Sequence, residues 1–339
     1  MAISEIILQG RKDTLSRSDL IQKFAALAGL IFLVIAFSLT SNSFLTTSNC
    51  VTLALQTTTI AFLGFGATCV IITGGIDLSV GSVLALAGVV AGMAAKEGVS
   101  VPLAMTFGVL VGGACGLING LVITRMKLPP FIATLGMMMV ARGVGLQITG
   151  ARPVSGLSDA FGVLGNGSLW RVVEEGVNGF PKVIFPGIPY PVIVMIVLAL
   201  VISVVLLKTT FGRHLYAVGS NEEAARLSGV DVMRTKIGAY VVSGLLAGLC
   251  GCVLMSRLVT AQPNEGVAYE LDAIASAVIG GTSLVGGIGT ISGTVIGAFI
   301  IGILRNGLNM NGVSSFIQMI TIGLVIIFTV WIDQMRNRR

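Results

Sequence analysis

An all-α polytopic membrane protein is the predicted fold: about ten transmembrane helices with broken or re-entrant segments, an internal repeat and both termini cytosolic. Three observations lead there. Of 339 residues, 54% are hydrophobic and only 11% charged, against about 25% charged in a soluble domain, and mean hydropathy is +0.96. The apolar residues gather in runs of the roughly 20 residues needed to cross a bilayer. The 45 glycines follow no three-residue period, which excludes a collagen-like chain and suits membrane helices that approach closely.

The runs form one transmembrane domain over 1–339. A polar tail, 1–23, carries Arg11, Lys12, Arg17 and Lys23 and precedes a first span at 24–40. A second, 51–73, reaches Gly74-Gly75-Ile76-Asp77-Leu78, beyond which a third continues to about Ala95. The fourth is 102–124. Arg125 and Lys127 make a basic turn, and Pro129 opens a fifth span ending near Thr149, since proline fits a first helical turn. Residues 150–189 are rich in Gly and Pro and are expected to be an external loop with little regular structure. Tyr190 begins span six, completing the first six spans within 24–207. A polar segment, 208–236, separates them from four more within 237–332: 237–257, 271 to about 280, 290–308 and 314–332. A basic tail, 333–339, closes the chain.

Charge chooses the orientation. With cytosolic termini, 14 basic residues face the cytosol: four in the first tail, Arg125, Lys127, five in 208–236 and three at the end. Five face outward: Lys96, Arg152, Arg171, Lys182 and Arg257. The positive-inside rule takes the first arrangement. It puts 208–236 in the cytosol. There Gly219 allows a tight turn, Ser220 and Glu223 form an S-x-x-E capping box, and Glu222 and Glu223 face the positive first turn. Ala224, Ala225, Arg226 and Leu227 continue the helix, and after Ser228, Gly229 ends it. A two-turn helix is marginal alone, so this one is expected to rest on its own spans or in a partner's groove.

Gly74-Gly75-Ile76-Asp77-Leu78 recurs as Gly280-Gly281-Thr282-Ser283-Leu284, each copy following an apolar run and preceding a glycine-bearing helix. Glycine pairs that interrupt spans predict broken helices or close crossings. The span count makes the two elements parallel.

Chemistry-bearing residues are sparse. His214 is the only histidine, Cys250-Gly-Cys252 has no ligating neighbours, and no Gly is followed by Lys. A metal site, a P-loop and a membrane-embedded enzyme are therefore not expected, and no continuous basic face offers itself to nucleic acid. The intramembrane polar residues each need a reason. Asp77 either faces a polar pathway or caps a helix starting at Leu78. Arg142 either lines a vestibule or snorkels to the interface. Arg305 and Asn309 share a face beside Asn306, as a pathway lining or an interhelical hydrogen bond. Asn119 and Gln147 are expected to pack, and Glu270 and Asp272 to cap span eight. Amides and hydroxyls outnumber fixed charges in the spans, which favours an uncharged polar substrate. An ion-coupled secondary carrier for such a solute is the alternative.

Five motifs in order carry a specific resemblance: Ile72-Thr73-Gly74-Gly75-Ile76-Asp77-Leu78-Ser79-Val80-Gly81-Ser82, Phe131-Ile132-Ala133-Thr134-Leu135, the segment from Gly219 to Gly229, Tyr269-Glu270-Leu271-Asp272-Ala273-Ile274-Ala275, and Gly280-Gly281-Thr282-Ser283-Leu284. From span two onward the chain resembles the ribose-type permeases of bacterial ABC sugar importers. The resemblance implies an inner-membrane permease, homodimeric or else heterodimeric. Cytosolic ABC ATPase subunits that bind ATP and Mg would lie beneath it, and a periplasmic sugar-binding protein would dock above. It makes residues 219–229 the ATPase-coupling element. Carriers of ribose, allose, xylose, galactose, polyols and a furanosyl signalling molecule all look like this, so it does not choose the sugar.

Overall fold

The computed structural model describes residues 26–175 and 181–337. The expected tail 1–23 and Arg338 and Arg339 lie outside the described residues. The helices are α1 Ala26–Thr40, α2 Thr47–Ile72, α3 Val80–Lys96, α4 Val101–Arg125, α5 Pro130–Thr149, α6 Asp159–Asn166, α7 Tyr190–Lys208, α8 Thr210–Ser220, α9 Glu222–Leu227, α10 Val232–Leu258, α11 Tyr269–Ile279, α12 Ile291–Met310 and α13 Ser315–Asn337. Six of them, α2, α4, α5, α7, α10 and α12, are long and apolar enough to cross a membrane; α1, α3 and the Ser315–Trp331 part of α13 are shorter apolar helices.

α2 is the axis of the molecule. Residues 60–73 are all buried, as an all-round apolar helix requires. α10, α11, α12 and α7 pack around it. The outer helices α5, α7 and α13 expose large apolar side chains such as Met139, Leu200 and Phe328, a surface that lipid solvates as readily as protein does. α4 runs antiparallel to α10 along a seam of small residues. A Cβ on Gly112 would collide with the Gly244 carbonyl, one on Gly116 with the Tyr240 carbonyl, and one on Gly248 would press on the Gly108 carbonyl. The backbones touch there because no side chain stands between them.

Both repeat copies are breaks. α2 stops at Thr73, Gly74 takes φ 75°, and the chain runs without helix to Val80. Freed backbone groups inside a membrane protein need partners, and the Ile76 carbonyl accepts from Tyr240 Oη at 3.3 Å and Thr134 Oγ1 at 3.4 Å. The second copy follows α11: Gly281 has φ 98°, and turns lead to α12 at Ile291. The two breaks touch. The Gly287 amide donates to the Ile72 carbonyl at 2.9 Å, and Gly286 packs on Gly74.

Two expectations need correction. Span eight is α11, only 11 residues long, which at 1.5 Å per residue covers about 16 Å of a ~30 Å core. The stretch expected as a span over 271 to about 280 is therefore too short to cross by itself. The loop 150–189, expected to be irregular, contains α6 and two antiparallel strand pairs, β1 Ser168–Leu169 with β4 Ile188–Pro189 and β2 Val172–Glu175 with β3 Pro181–Phe185. α6 buries Phe161 against the end of α10, where Ser256 Oγ donates to the Phe161 carbonyl at 2.5 Å and accepts from the Gly165 amide at 2.8 Å.

Candidate functional site

α8 and α9 form a hook between α7 and α10. The capping differs from the sequence reading. Ser220 is the last residue of α8, and Asn221 caps α9, its Oδ1 accepting from the Ala224 amide at 2.9 Å. Gly219 makes no turn; it lies inside α8, where a Cβ would strike the Ile72 carbonyl. The end of α9 is as read: Gly229 has φ 85°, its amide donates to the Arg226 carbonyl, and the Val230 amide reaches the Ala225 carbonyl. That is the double closure of a Schellman motif.

α9 rests on the body through one small face. Ala225 is buried with Val218 and Val232. Glu222 links it to α10 through Lys236 Nζ at 2.6 Å and bonds Arg226 within the helix at 3.2 Å. Glu223, Ala224, Ser228 and Leu227 are exposed, Leu227 at 84%. α8 holds the other side. Tyr216 Oη donates to the Gly289 carbonyl at 2.8 Å, and burial pushes that hydroxyl up to about 12, so it remains a donor at neutral pH. The hook thus touches the break after α2 and the break after α11 at once.

Asp77 is not the cap of a helix at Leu78, because α3 starts at Val80. Its Oδ1 accepts from the Ser79 amide at 3.0 Å and Ser79 Oγ at 2.6 Å, and its Oδ2 from Ser243 Oγ at 2.8 Å. Asn119 Nδ2 donates to Ser79 Oγ at 2.9 Å. The buried network pins the broken stretch to α4 and α10. Its carboxylate oxygens are occupied by protein donors.

Arg142 is part-buried, and its Nη1 donates to the carbonyls of Pro263 at 2.7 Å and Glu265 at 2.6 Å, holding the non-helical stretch 259–268 that precedes α11. Gln147 and Asn309 are exposed on the outside of the chain. Asn306 exchanges two 3.0 Å amide bonds with Asn49. Arg305 donates to Asp272 Oδ2 at 2.6 Å, and Asp272 is buried inside the first turn of α11 instead of preceding it as a cap. Sequence reading named Arg305 without its partner, 33 residues away.

This ion pair borders a cavity of about 350 Å³ between α2, α10, α11 and α12. Gln56, Thr59, Gln262, Glu265 and Tyr269 add polar groups to its wall, and Ile60, Leu63 and Leu254 an apolar side. It lies by Arg257 and Leu258, at the end of α10 away from α9. Among the described residues no three His, Cys, Asp or Glu side chains come together, and the five cysteines are unpaired.

The family model described as "Branched-chain amino acid transport system / permease component" matches residues 49–330. The chain is 45% identical to the ribose import permease protein RbsC of Bacillus subtilis (strain 168), over 97% of its own length and 98% of the relative's. It is 42% identical to RbsC of Escherichia coli (strain K12), over 92% and 94% of the two chains. The D-allose transport system permease protein AlsC of the same strain is 40% identical, over 91% and 90%. No solved structure matches. The hook, the paired breaks and the apolar bundle therefore stand in a chain that belongs to the permease-component family, among its ribose-type ABC sugar permeases.

Proposed function

We propose that this chain is the membrane-spanning permease subunit of an ATP-driven importer for a monosaccharide, ribose or a similar sugar, and that two copies form its pathway in the bacterial inner membrane. Similarity to sugar permeases over 97% of the chain carries the reading. On it, cytosolic ABC ATPase subunits bind ATP and Mg, and a periplasmic binding protein delivers the sugar. The chain crosses the membrane ten times, with both termini cytosolic. Three features support that count. α4 and α10 are antiparallel, the breaks after α2 and α11 share one end with α8, and the stretch 259–268 together with α11 makes up the eighth crossing.

Residues 219–229 are the coupling element in this proposal. Its support is the exposed Leu227 on a polar helix seated by one alanine, since an apolar tip of that kind fits a partner's groove. Alternating access follows: closure of the ATPase pair draws the hooks together, and the breaks transmit the motion. A secondary carrier would need a free buried carboxylate for its ion. Asp77, the candidate for it, already accepts three hydrogen bonds.

The test is reconstitution with ATPase and binding protein, followed by uptake of a panel of labelled sugars. A Glu222→Lys, Arg226→Glu variant should insert normally and transport nothing. Normal transport by that variant removes the coupling role, and uptake without any ATPase establishes the secondary carrier.

A further inference from the structure

The segment between α5 and α7 carries an apolar surface that none of the described residues covers. Leu169, Trp170, Val172, Val173, Val183 and Ile184 are all exposed, Trp170 at 74%. Val173 and Val183 are register partners in the β2–β3 pair, so they stand side by side on one face of the ribbon. A two-stranded ribbon is marginal by itself in water, and a contiguous exposed apolar patch marks an interaction surface. Trp170 adds a second sign. It holds φ 57°, a left-handed backbone that a bulky residue rarely adopts, and its indole is nevertheless left outside the core.

Position identifies what covers the patch. β1 pairs with β4, and the residue after β4, Tyr190, begins α7. The Tyr190 amide donates to the Gly167 carbonyl at 3.0 Å, which fixes the ribbon to the start of that helix. α7 exposes Ile196, Leu200 and Val204 along its length, the lipid-facing surface described above. Its 19 residues rise about 28 Å through a ~30 Å hydrocarbon core. A bilayer that solvates α7 therefore has one polar boundary at Tyr190, and Trp170 lies one residue beyond the Leu169–Ile188 pair at that end. α8 and the hook follow the other end of α7. Beside the ribbon is an open groove of about 460 Å³ whose charged residues are Asp159 and Arg171, one of each sign, which suits a zwitterionic headgroup.

We propose that this ribbon lies in the lipid headgroup region at the start of α7, with Trp170 as its anchor. Tryptophan concentrates at that depth because its ring is apolar and its N–H is polar. β2 and β3 form a sheet of only two strands, so their outer edges carry backbone groups without a ladder partner, which hydrocarbon does not tolerate. The ribbon is thereby held at headgroup depth, where water and lipid oxygens reach those edges. This placement requires only that the chain spans a bilayer, whatever solute it carries.

The chain has two tryptophans, Trp170 and Trp331, so Trp331→Phe leaves Trp170 as the single reporter. In proteoliposomes of phosphatidylethanolamine and phosphatidylglycerol its emission should be blue-shifted from that of indole in water. Lipid brominated near the headgroup end of its acyl chains should quench it several-fold more than lipid brominated near the chain ends, and acrylamide should quench it weakly. Water-like emission that no brominated lipid quenches overturns the proposal. Emission that responds only to an added sugar-loaded binding protein also overturns it and makes the ribbon a protein-docking surface. Blue-shifted emission indifferent to brominated lipid does the same, since protein, such as a second copy, would then cover the patch. Should Trp331→Phe fail to insert, the wild type is compared with Trp170→Phe: a clear loss of shallow-bromine quenching supports the placement, and full retention refutes it.

Discussion

Asn306 and Asn49 satisfy each other across 257 residues of sequence. Removing Asn306 leaves Asn49 Nδ2 its bond to the Phe44 carbonyl at 2.8 Å but takes the partner of Asn49 Oδ1 in a half-buried site, which costs about 1–3 kcal/mol. Asn306→Ala should therefore lower the melting temperature in detergent, while Asn49→Leu with Asn306→Leu should recover most of the loss. The sequence marked Asn306 as needing a reason, because polar groups inside spans are few, but the reason lay in another helix. The same holds for Arg305 and Asp272, and for Arg142 with the carbonyls of 259–268. A residue's own neighbours reveal that it wants a partner and say nothing of which distant segment supplies it. Gln147 and Asn309 carry the converse lesson, since both turn outward despite sitting in apolar runs.

At the scale of elements, α9 was legible because its signals are local. Acidic residues open it, Gly229 closes it, and Arg226 stands in its last turn. The cap was misplaced by one residue because Ser220 and Asn221 both suit the position and α8 claims the serine. Asn221→Ala should cost about 1 kcal/mol of local helix stability, whereas Ser220→Ala should cost little of it. Hydrogen exchange across 221–229 distinguishes them: faster exchange in the first variant only supports the observed cap, and the reverse order restores the serine. α8 was missed altogether, since its side chains are polar enough to read as loop while Leu215 and Val218 bury a narrow stripe. The β2–β3 pair was missed for a related reason. Gly and Pro frequency outweighed two short runs, Val172–Glu175 and Pro181–Phe185, that pair antiparallel with a register shift between Val172 and Val173.

For the whole molecule, hydropathy located the apolar helices but not which of them touch. The α4–α10 seam is the clearest case, because the glycine excess predicted close crossings without naming a pair. Gly112→Leu drives a side chain into the Gly244 backbone and should lose about 3 kcal/mol or more, the upper end of overpacking costs. Gly136→Leu, with nothing within 4 Å, is the control and should fold normally. Folded yield by size exclusion in mild detergent separates the two, and equal yields would mean that the seam is not closed.

One carbonyl ties these scales together. Ile72's oxygen accepts from Gly287 and lies beneath Gly219, so the end of one broken helix, the turn after another and the root of the α8–α9 hook share a single pivot. A lever mounted on two hinges cannot swing one without the other. A shove on the hook is thereby geared to both joints of the same subunit in one stroke.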